Sequence, residues 1–193
     1  MSSAPELLDL LRRVCETPAP TFDEDERAEV VERELRAAGW APWRDEVGNV
    51  LAEREADTGP RVALVAHLDT VFARDVDVRV REGDDGRWRA PGIGDNSASV
   101  AVLLDLAHRP SDALPPLLLA FTRGEEGLGD LRGARHLVAT RGDAIDRFLA
   151  IDGHLGSIVD AGVGSSRLRA RFEGPGGHAW GDYPGASAVH ALG

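Results

Sequence analysis

Lysine is absent from the sequence and cysteine occurs once, and each shortage excludes a class of chemistry. Without lysine, the chain cannot form a Schiff base with a carbonyl substrate. All 22 basic residues are arginine, a bias that we attribute to GC-rich codons. The lone Cys15 cannot form an internal disulfide, so nothing indicates an oxidising compartment. Cys15 closes an apolar helical stripe without a histidine–asparagine pairing, which favours a structural residue over a nucleophile.

Long hydrophobic runs are also missing. No stretch approaches the ~20 apolar residues that a membrane span requires, and the N-terminal MSSAPELLDLLRR lacks the basic start and apolar core of a signal peptide. Positive charge is scarce as well, with 33 acidic against 22 basic residues and a formal net charge of −11. Such a surface repels phosphate backbones and anionic lipids. We therefore expect a cytoplasmic protein that has neither nucleic acid nor a membrane as a partner.

Apolar strands and amphipathic helices alternate along most of the chain. Short apolar runs predict strands over residues 50–54, 61–66, 117–121 and 148–151. Helical periodicity predicts helices over residues 5–14, 21–38, 97–107 and 133–140. Thr21 and Glu24 have the spacing of a capping box at the start of the second helix, and GDDG at residues 83–86 predicts an outlying hairpin. Near-continuous apolar strands are typical of a sheet buried on both faces. The sequence therefore predicts an α/β three-layer helix–sheet–helix domain with mainly parallel central strands.

The pattern changes after residue 162. Alternating arginine and apolar side chains over residues 167–172 predict a half-exposed strand of an antiparallel sheet. A glycine-rich GPGGH turn follows, and a helix is predicted from Ala186 onwards. One strand, one loop and one short helix do not form a domain. We therefore expect residues 1–162 to be an incomplete N-terminal segment of a catalytic domain, and residues 163–193 to begin a smaller α+β lid or dimerisation domain.

Histidine and acidic residues, whose side chains can bind metal ions, lie close to the predicted parallel strands in the sequence. They are His67 and Asp69 after strand 61–66, Asp95 before helix 97–107, Glu125 and Glu126 after strand 117–121, and Asp152 after strand 148–151. Because the carboxyl ends of parallel strands share one edge, we expect these side chains to converge there. Clustered carboxylates repel one another, and a divalent cation relieves the repulsion. Imidazole with carboxylates is a zinc ligand set, so the sequence predicts a metal site.

Two pairs within this group suggest a division of roles. His67 and Asp69 are two residues apart and point the same way in an extended chain. Asp69 can then accept the second ring N–H of His67 and fix its tautomer. The adjacent Glu125 and Glu126 cannot both face one point from regular structure. One can bind metal while the other reaches a water beside it, which gives a ligand and a general base.

Each residue alone also has a plainer interpretation. Asp95 fits the N-cap of the helix that follows it, Asp152 fits a turn, and a pair of adjacent glutamates is common on solvated helix surface. The joint placement of these residues beside successive buried strands is what favours the metal site.

Five stretches carry a resemblance to a known family: VALVAHLDTVF, PGIGDNS, FTRGEEGLGDLRGAR, AIDG and FEGPGGHAWGDYPGASAVHALG. In this order they resemble the dinuclear zinc peptidases that include acetylornithine deacetylase, succinyl-diaminopimelate desuccinylase, tripeptide aminopeptidase and the glutamate carboxypeptidases. The resemblance extends from about residue 60 to the end of the chain.

The resemblance implies two Zn²⁺ ions per complete site, with Co²⁺ or Mn²⁺ as substitutes. His67 and Asp152 would bind one ion, Glu126 would bind the other, and Asp95 would bridge the two. Glu125 would be the general base.

Two further roles follow from the resemblance. Asp69 would orient His67. His178, in GPGGH, would reach over the site of a partner subunit and stabilise the tetrahedral oxyanion, which implies a homodimer. Without the resemblance, His178 would be interpreted as a turn residue.

Two departures from the family pattern qualify these expectations. Asp95 is followed by Asn96, Ser97 and Ala98, where the family often has Asp or Met and then Lys and Gly. Family chains are also much longer, so we expect these 193 residues alone to be inactive. The sequence predicts a metal-dependent hydrolase that cleaves an amide bond of a small peptide. An N-acyl amino acid deacylase and a non-catalytic metal-binding fragment are the alternatives.

Overall fold

The computed structural model describes residues 4–54, 60–109, 116–153, 156–162, 164, 166, 168–178 and 180–192. The chain divides into two compact units, Met1–Ser157 and Ile158–Gly193, which are described separately below. Their assignment to a catalytic and a lid domain, with a boundary at residue 162, remains a prediction.

The helices are α1 (Ala4–Cys15), α2 (Asp25–Ala37), α3 (Ala98–Ala107), α4 (Arg132–Arg141) and α5 (Ala188–Leu192). The strands are β1 (Trp43–Arg44), β2 (Val50–Arg54), β3 (Val62–His67), β4 (Arg81–Glu82), β5 (Trp88–Arg89), β6 (Leu117–Thr122) and β7 (Arg147–Ala150). The four strands predicted for the sheet are confirmed, and each end lies within one residue of its predicted position.

The central sheet has five strands in the order β1-β2-β6-β3-β7. Strand β3 pairs in parallel with β6 on one side and β7 on the other. β2 pairs antiparallel with β6, and β1 antiparallel with β2. The predicted α/β architecture with mainly parallel central strands is confirmed. β4 and β5 form a separate antiparallel hairpin around the GDDG turn.

Both faces of the sheet are covered at β6, as its apolar sequence predicts, whereas β7 at the edge is exposed,. Leu117, Leu119 and Phe121 of β6 face the larger core, which also contains buried residues of α1, α2 and α3. Leu118 and Ala120 face the opposite way, into a smaller core that includes Leu137 of α4. Alternate residues of one strand therefore enter two different cores, which gives the three-layer arrangement.

The capping box predicted at Thr21 and Glu24 is wrong. α2 begins at Asp25, and the N-cap residue Glu24 makes no side-chain hydrogen bond to the helix N-terminus. Both side chains have distant partners instead, Asp69 for Thr21 and Arg123 for Glu24. A strong tertiary partner outcompetes a local cap that contributes only ~1 kcal/mol.

The strand predicted over residues 167–172 is also wrong where it can be compared, because residues 168–172 have no regular secondary structure. Arg167 lies outside the described residues. Alternating polar and apolar residues give an extended chain one polar and one apolar face. A strand also needs a hydrogen-bonding partner. None of the described residues of the second unit belongs to a strand. The predicted C-terminal helix is present as α5. No helix among the described residues is long and apolar enough to cross a membrane.

Arg27 of α2 places a guanidinium group inside the first unit, where the residue is 1% exposed. The group donates hydrogen bonds to the main-chain oxygens of Leu68 at 2.8 Å, Thr17 at 2.7 Å and Cys15 at 3.4 Å. Burial lowers the pKa of Arg27 to about 10, so it remains charged at neutral pH. Because Leu68 follows β3 directly, Arg27 holds the end of that strand.

We predict that Arg27→Met lowers the free energy of unfolding by about 3 kcal/mol, because buried carbonyl oxygens lose their donors. The matched control is Arg36→Met, in the same helix. The Arg36 side chain is 58% exposed and pairs with Glu32 at 3.4 Å, so we expect less than ~0.5 kcal/mol there. Urea denaturation followed by circular dichroism measures both, and equal effects of the two variants would contradict the prediction.

Candidate metal centre

Three strand ends bring the predicted site residues to one edge of the sheet. β3 ends at His67, which pairs in register with Thr122 at the end of β6. On the other side, Val65 of β3 pairs with Ala150, the last residue of β7. The segments that follow β3, β6 and β7 therefore start side by side, as expected for parallel strands.

His67 is the centre of this group. Its ring is 4% exposed, and Nε2 lies 2.9 Å from Oδ1 of Asp95 and 3.6 Å from Oδ1 of Asp152. Nδ1 lies 3.0 Å from the main-chain oxygen of Asp69. Both ring nitrogens thus face oxygen acceptors. The Asp95 and Asp152 side chains are 60% and 47% exposed, so the cluster opens to solvent on their side.

The ionisation of His67 follows from this environment. Burial lowers its pKa, but the nearby carboxylates of Asp152 and Asp69 outweigh the burial and raise the pKa to about 10. The His67 ring, 3.6 Å away, also lowers the pKa of Asp152. A divalent cation on Nε2 would take the place of the ring proton there. The Nδ1–H bond to the Asp69 carbonyl would keep the tautomer that leaves Nε2 as a ligand.

Asp69 holds the ring differently from the sequence prediction. We expected its carboxylate to accept the ring N–H, but Oδ1 lies 3.6 Å from Nδ1 and the main-chain oxygen lies closer, at 3.0 Å. The carboxylate is fully buried and has other donors. Oδ1 accepts the N–H of Glu125, and Oδ2 accepts the N–H of Glu126 and the hydroxyl of Thr21, each at 3.0 Å.

Electrostatics fit this arrangement of Asp69. Burial raises its pKa, but the neighbouring His67 ring and the hydrogen bonds from the N–H groups of Glu125 and Glu126 prevail and lower it. Asp69 therefore stays ionised at neutral pH. The Thr21 contact could not be predicted from the sequence, where Thr21 is only a polar residue close to the start of a helix.

Glu125 and Glu126 both lie near the histidine. The two side chains are half-buried, and each offers a carboxylate oxygen within 4.8 Å of the others and of a His67 ring nitrogen. Burial raises the pKa of Glu125, although the charge of His67 opposes it. Burial also raises the pKa of Glu126, helped by the negative charge of Asp95.

Two groups of side chains have the composition and spacing of a metal site. His67, Asp95 and Asp152 offer ligand atoms that all lie within 4.8 Å of one another, and so do His67, Glu125 and Glu126. An imidazole nitrogen with carboxylate oxygens is a set that zinc accepts. The first group was predicted from the sequence. The second joins Glu126 to His67 and Glu125, whereas the sequence analysis placed it with Asp95.

The plainer interpretation of Asp95 is not supported. Ser97, not Asp95, is the N-cap residue of α3, and it makes no side-chain cap bond. Asp95 lies in the irregular turn Ile93–Ser97 and its carboxylate faces His67. The neighbouring Asn96 is buried, and its amide donates to the main-chain oxygen of Ile151 at 3.0 Å. Asn96 thereby joins the Asp95 segment to the residue before Asp152, a link visible in the sequence only as a departure from the family pattern.

His178 belongs to the second unit. Its Nδ1 accepts the N–H of Gly181 at 3.1 Å and lies 3.3 Å from the nitrogen of Trp180, so the ring proton is on Nε2. Its own main-chain N–H donates to Oδ2 of Asp182. The predicted role of His178 at a partner's site remains a prediction.

Known proteins are similar to this chain in sequence. A LysW-lysine/LysW-ornithine hydrolase of Thermococcus kodakarensis is 32% identical over 145 residues, which cover 75% of this chain and 39% of that protein. The cytosol non-specific dipeptidase of Escherichia coli is 30% identical over 148 residues, which cover 66% of this chain and 30% of that protein. The chain thus spans between 30% and 39% of the length of these two relatives.

Solved structures share the fold. A tripeptidase from Staphylococcus aureus superposes with a TM-score of 0.65 at 24% identity, over 79% of this chain and 44% of that one. The aminopeptidase PepT of Bacillus cereus gives a TM-score of 0.64 at 19% identity, over 78% of this chain and 44% of that one. These likenesses agree with the α/β architecture predicted from the sequence.

A family match completes the comparison. Residues 49–160 match the sequence model of peptidase family M28. This range contains every predicted site residue from His67 to Asp152, and the resemblance to peptidases drawn from the motifs is confirmed. Because the match covers more than half of the chain, the chain belongs to peptidase family M28.

Proposed function

We propose that the protein hydrolyses an amide bond of a small peptide with divalent metal ions, in the complete site two Zn²⁺, and Glu125 as general base. The observation that carries this proposal is the buried His67 ring with Asp95 and Asp152 at Nε2 and two half-buried glutamates beside it. Several carboxylates around one imidazole form a strongly negative site, which a divalent cation stabilises.

The ligands are assigned from the two groups of side chains. His67 and Asp152 would hold one ion, Asp95 would be shared, and Glu126 would hold the second. When bound, the ions supply Lewis acidity, which polarises a substrate carbonyl and lowers the pKa of a bound water. Asp69 keeps His67 in the ligand tautomer through its carbonyl oxygen.

Glu125 is the proposed base. Its raised pKa makes the carboxylate a better proton acceptor than an exposed glutamate,. It would take a proton from the attacking water and then deliver that proton to the nitrogen of the leaving amine. This path restores the carboxylate at the end of each cycle, and the bond broken is the amide C–N bond.

His178 is proposed to donate from Nε2 to the tetrahedral oxyanion at the site of a partner subunit. The tautomer supports this role, because Nδ1 is an acceptor of main-chain N–H groups and Nε2 carries the proton. A homodimer is therefore part of the proposal. We also propose a cytoplasmic location, in keeping with the name of the Escherichia coli relative.

The proposed substrates are dipeptides and tripeptides, supported by the names of the dipeptidase and tripeptidase relatives. An N-acyl amino acid deacylase is the second candidate. It is favoured by the archaeal relative, whose name describes a hydrolase of lysine or ornithine linked to LysW. Both reactions use the same attack on an amide carbonyl, so the site chemistry is common to them.

The activity itself is tested on the whole protein with a panel of dipeptides, tripeptides and N-acetyl amino acids. We expect turnover that a chelator abolishes and that added Zn²⁺, Co²⁺ or Mn²⁺ restores. Turnover that survives complete metal removal would overturn the proposed mechanism. Preference for N-acetyl amino acids over every peptide would favour the deacylase.

We predict that Asp152→Asn lowers the affinity for Co²⁺ at least about tenfold, because it replaces a charged ligand beside His67. The matched control is Asp143→Asn, since Asp143 is exposed and belongs to neither ligand group. Calorimetric titration measures both affinities. An unchanged affinity in Asp152→Asn would contradict the ligand assignment.

A further experiment on the whole protein distinguishes the roles of the two glutamates. We predict that Glu125→Gln lowers kcat by about 10²–10⁴-fold, as the loss of a general base does, and leaves the metal content unchanged. Glu126→Gln lowers the metal content as well. Glu82→Gln, on the exposed hairpin, is the control and leaves both quantities unchanged. The reverse pattern would show that the base and the ligand are exchanged.

A further inference from the structure

Three successive main-chain N–H groups at the glutamate pair each donate to a buried carboxylate from another part of the chain. The N–H of Gly124 donates to Oε1 of Glu24 at 3.1 Å. The next two donate to Asp69, Glu125 to Oδ1 and Glu126 to Oδ2, each at 3.0 Å. The backbone that carries the proposed base and ligand is therefore held at every residue.

Glu24 is suited to hold this backbone rigidly. It is 1% exposed, and its Oε2 accepts hydrogen bonds from Nε and Nη2 of Arg123 at 2.9 and 2.8 Å. Its Oε1 accepts the N–H of Phe22 at 2.9 Å in addition to that of Gly124. A buried carboxylate with an ionic partner and this set of donors has little freedom to move.

We propose that Glu24 is a positioning residue for the Glu125–Glu126 pair. Gly124 has a φ of +64°, so the chain turns sharply between the end of β6 and the two glutamates. The direction of that turn sets where both carboxylates point. By accepting the Gly124 N–H, Glu24 fixes the turn from outside the loop. The catalytic consequence of this positioning rests on the function proposed above.

The same segment also supports Asp69. Thr21, three residues before Glu24, donates its hydroxyl to Oδ2 of Asp69, which holds Glu125 and Glu126. Thr21 and Glu24, whose spacing suggested a capping box, thus contact two loops of the site, the one with Asp69 and the one with Gly124. Glu24 and Gly124 are 100 positions apart, so the contact couples the start of α2 to the loop after β6.

The alternative is that Glu24 contributes only to stability through its ion pair with Arg123. The chain offers a control that separates the two roles. Asp25 also pairs with Arg123, at 2.9 Å to Nη1, but its side chain is 63% exposed. The N–H of Gly124 goes to Glu24 and not to Asp25. If Glu24 has a purely ionic role, loss of the charge at Glu24 or at Asp25 should affect the loop similarly. If Glu24 positions the loop, only its substitution should change the hydrogen bonding of residues 124–126.

Amide hydrogen exchange on the 193-residue chain tests the inference without any assay of activity. In Glu24→Gln one amide oxygen replaces the two carboxylate oxygens that accept hydrogen bonds in the wild type. Arg123 loses its buried ionic partner and retains the exposed Asp25. We expect the amides of Gly124, Glu125 and Glu126 to exchange about tenfold faster or more, because a charge-assisted bond is lost. In Asp25→Asn we expect their exchange to be unchanged. Circular dichroism confirms that both variants are folded.

Where Glu24→Gln does not fold, Glu24→Asp serves instead, because it keeps the charge but is one methylene shorter and cannot reach both partners. Unchanged exchange at residues 124–126 in the folded variant would overturn the inference. Equal acceleration in Asp25→Asn would overturn it too, because the effect would then belong to the ion pair.

A kinetic measurement on the whole protein tests the catalytic consequence. We expect Glu24→Gln to lower kcat by about 10²-fold, the size expected from a displaced catalytic group, with KM unchanged. A loss of stability alone would reduce the fraction of active protein, but it would not accelerate exchange specifically at the amides of Gly124, Glu125 and Glu126. An inactive wild-type protein would contradict the proposed function, while the exchange result would still decide the role of Glu24.

Discussion

The carboxylate of Asp69 lies fully buried behind the sheet edge, and the geometry of the site depends on the hydrogen bonds that it accepts. These come from the main chain of Glu125 and Glu126 and from the hydroxyl of Thr21. The carbonyl of the same residue faces Nδ1 of His67. Three separate segments are thereby fixed around one residue. A buried charge is tolerated only when its lone pairs are satisfied, so each donor stabilises the others.

The balance of charge explains why the site is suited to a cation. Asp95 and Asp152 face the same nitrogen of His67, and the half-buried Glu125 and Glu126 have raised pKa values. One imidazolium cannot neutralise four carboxylates. Outside the cluster the charges balance, since the buried Glu24 forms an ion pair with Arg123. Negative charge is compensated around the site and left in excess within it.

Much of the fold was predictable because its signals are local. Strand positions follow from apolar runs, and the site residues other than Asp95 follow from their places after β3, β6 and β7. Predictions failed where a local pattern had a distant competitor. Thr21 and Glu24 have capping-box spacing but bind other loops, and the alternating residues 168–172 form no strand. The partners of Asn96 and Arg27 could not be predicted from the sequence, because they are main-chain oxygens that any residue possesses.

The sequence by itself determined the class of fold, the family and the set of ionisable residues at the sheet edge. These depend on periodicity, on motif order and on the rule that parallel strands end together. Tertiary structure alone decided which atoms meet. The Asp69 carbonyl, and not its carboxylate, lies closest to His67, and Glu24 holds a loop 100 positions away. Such contacts depend on a few tenths of an ångström between distant segments, and only the packed layers determine those distances.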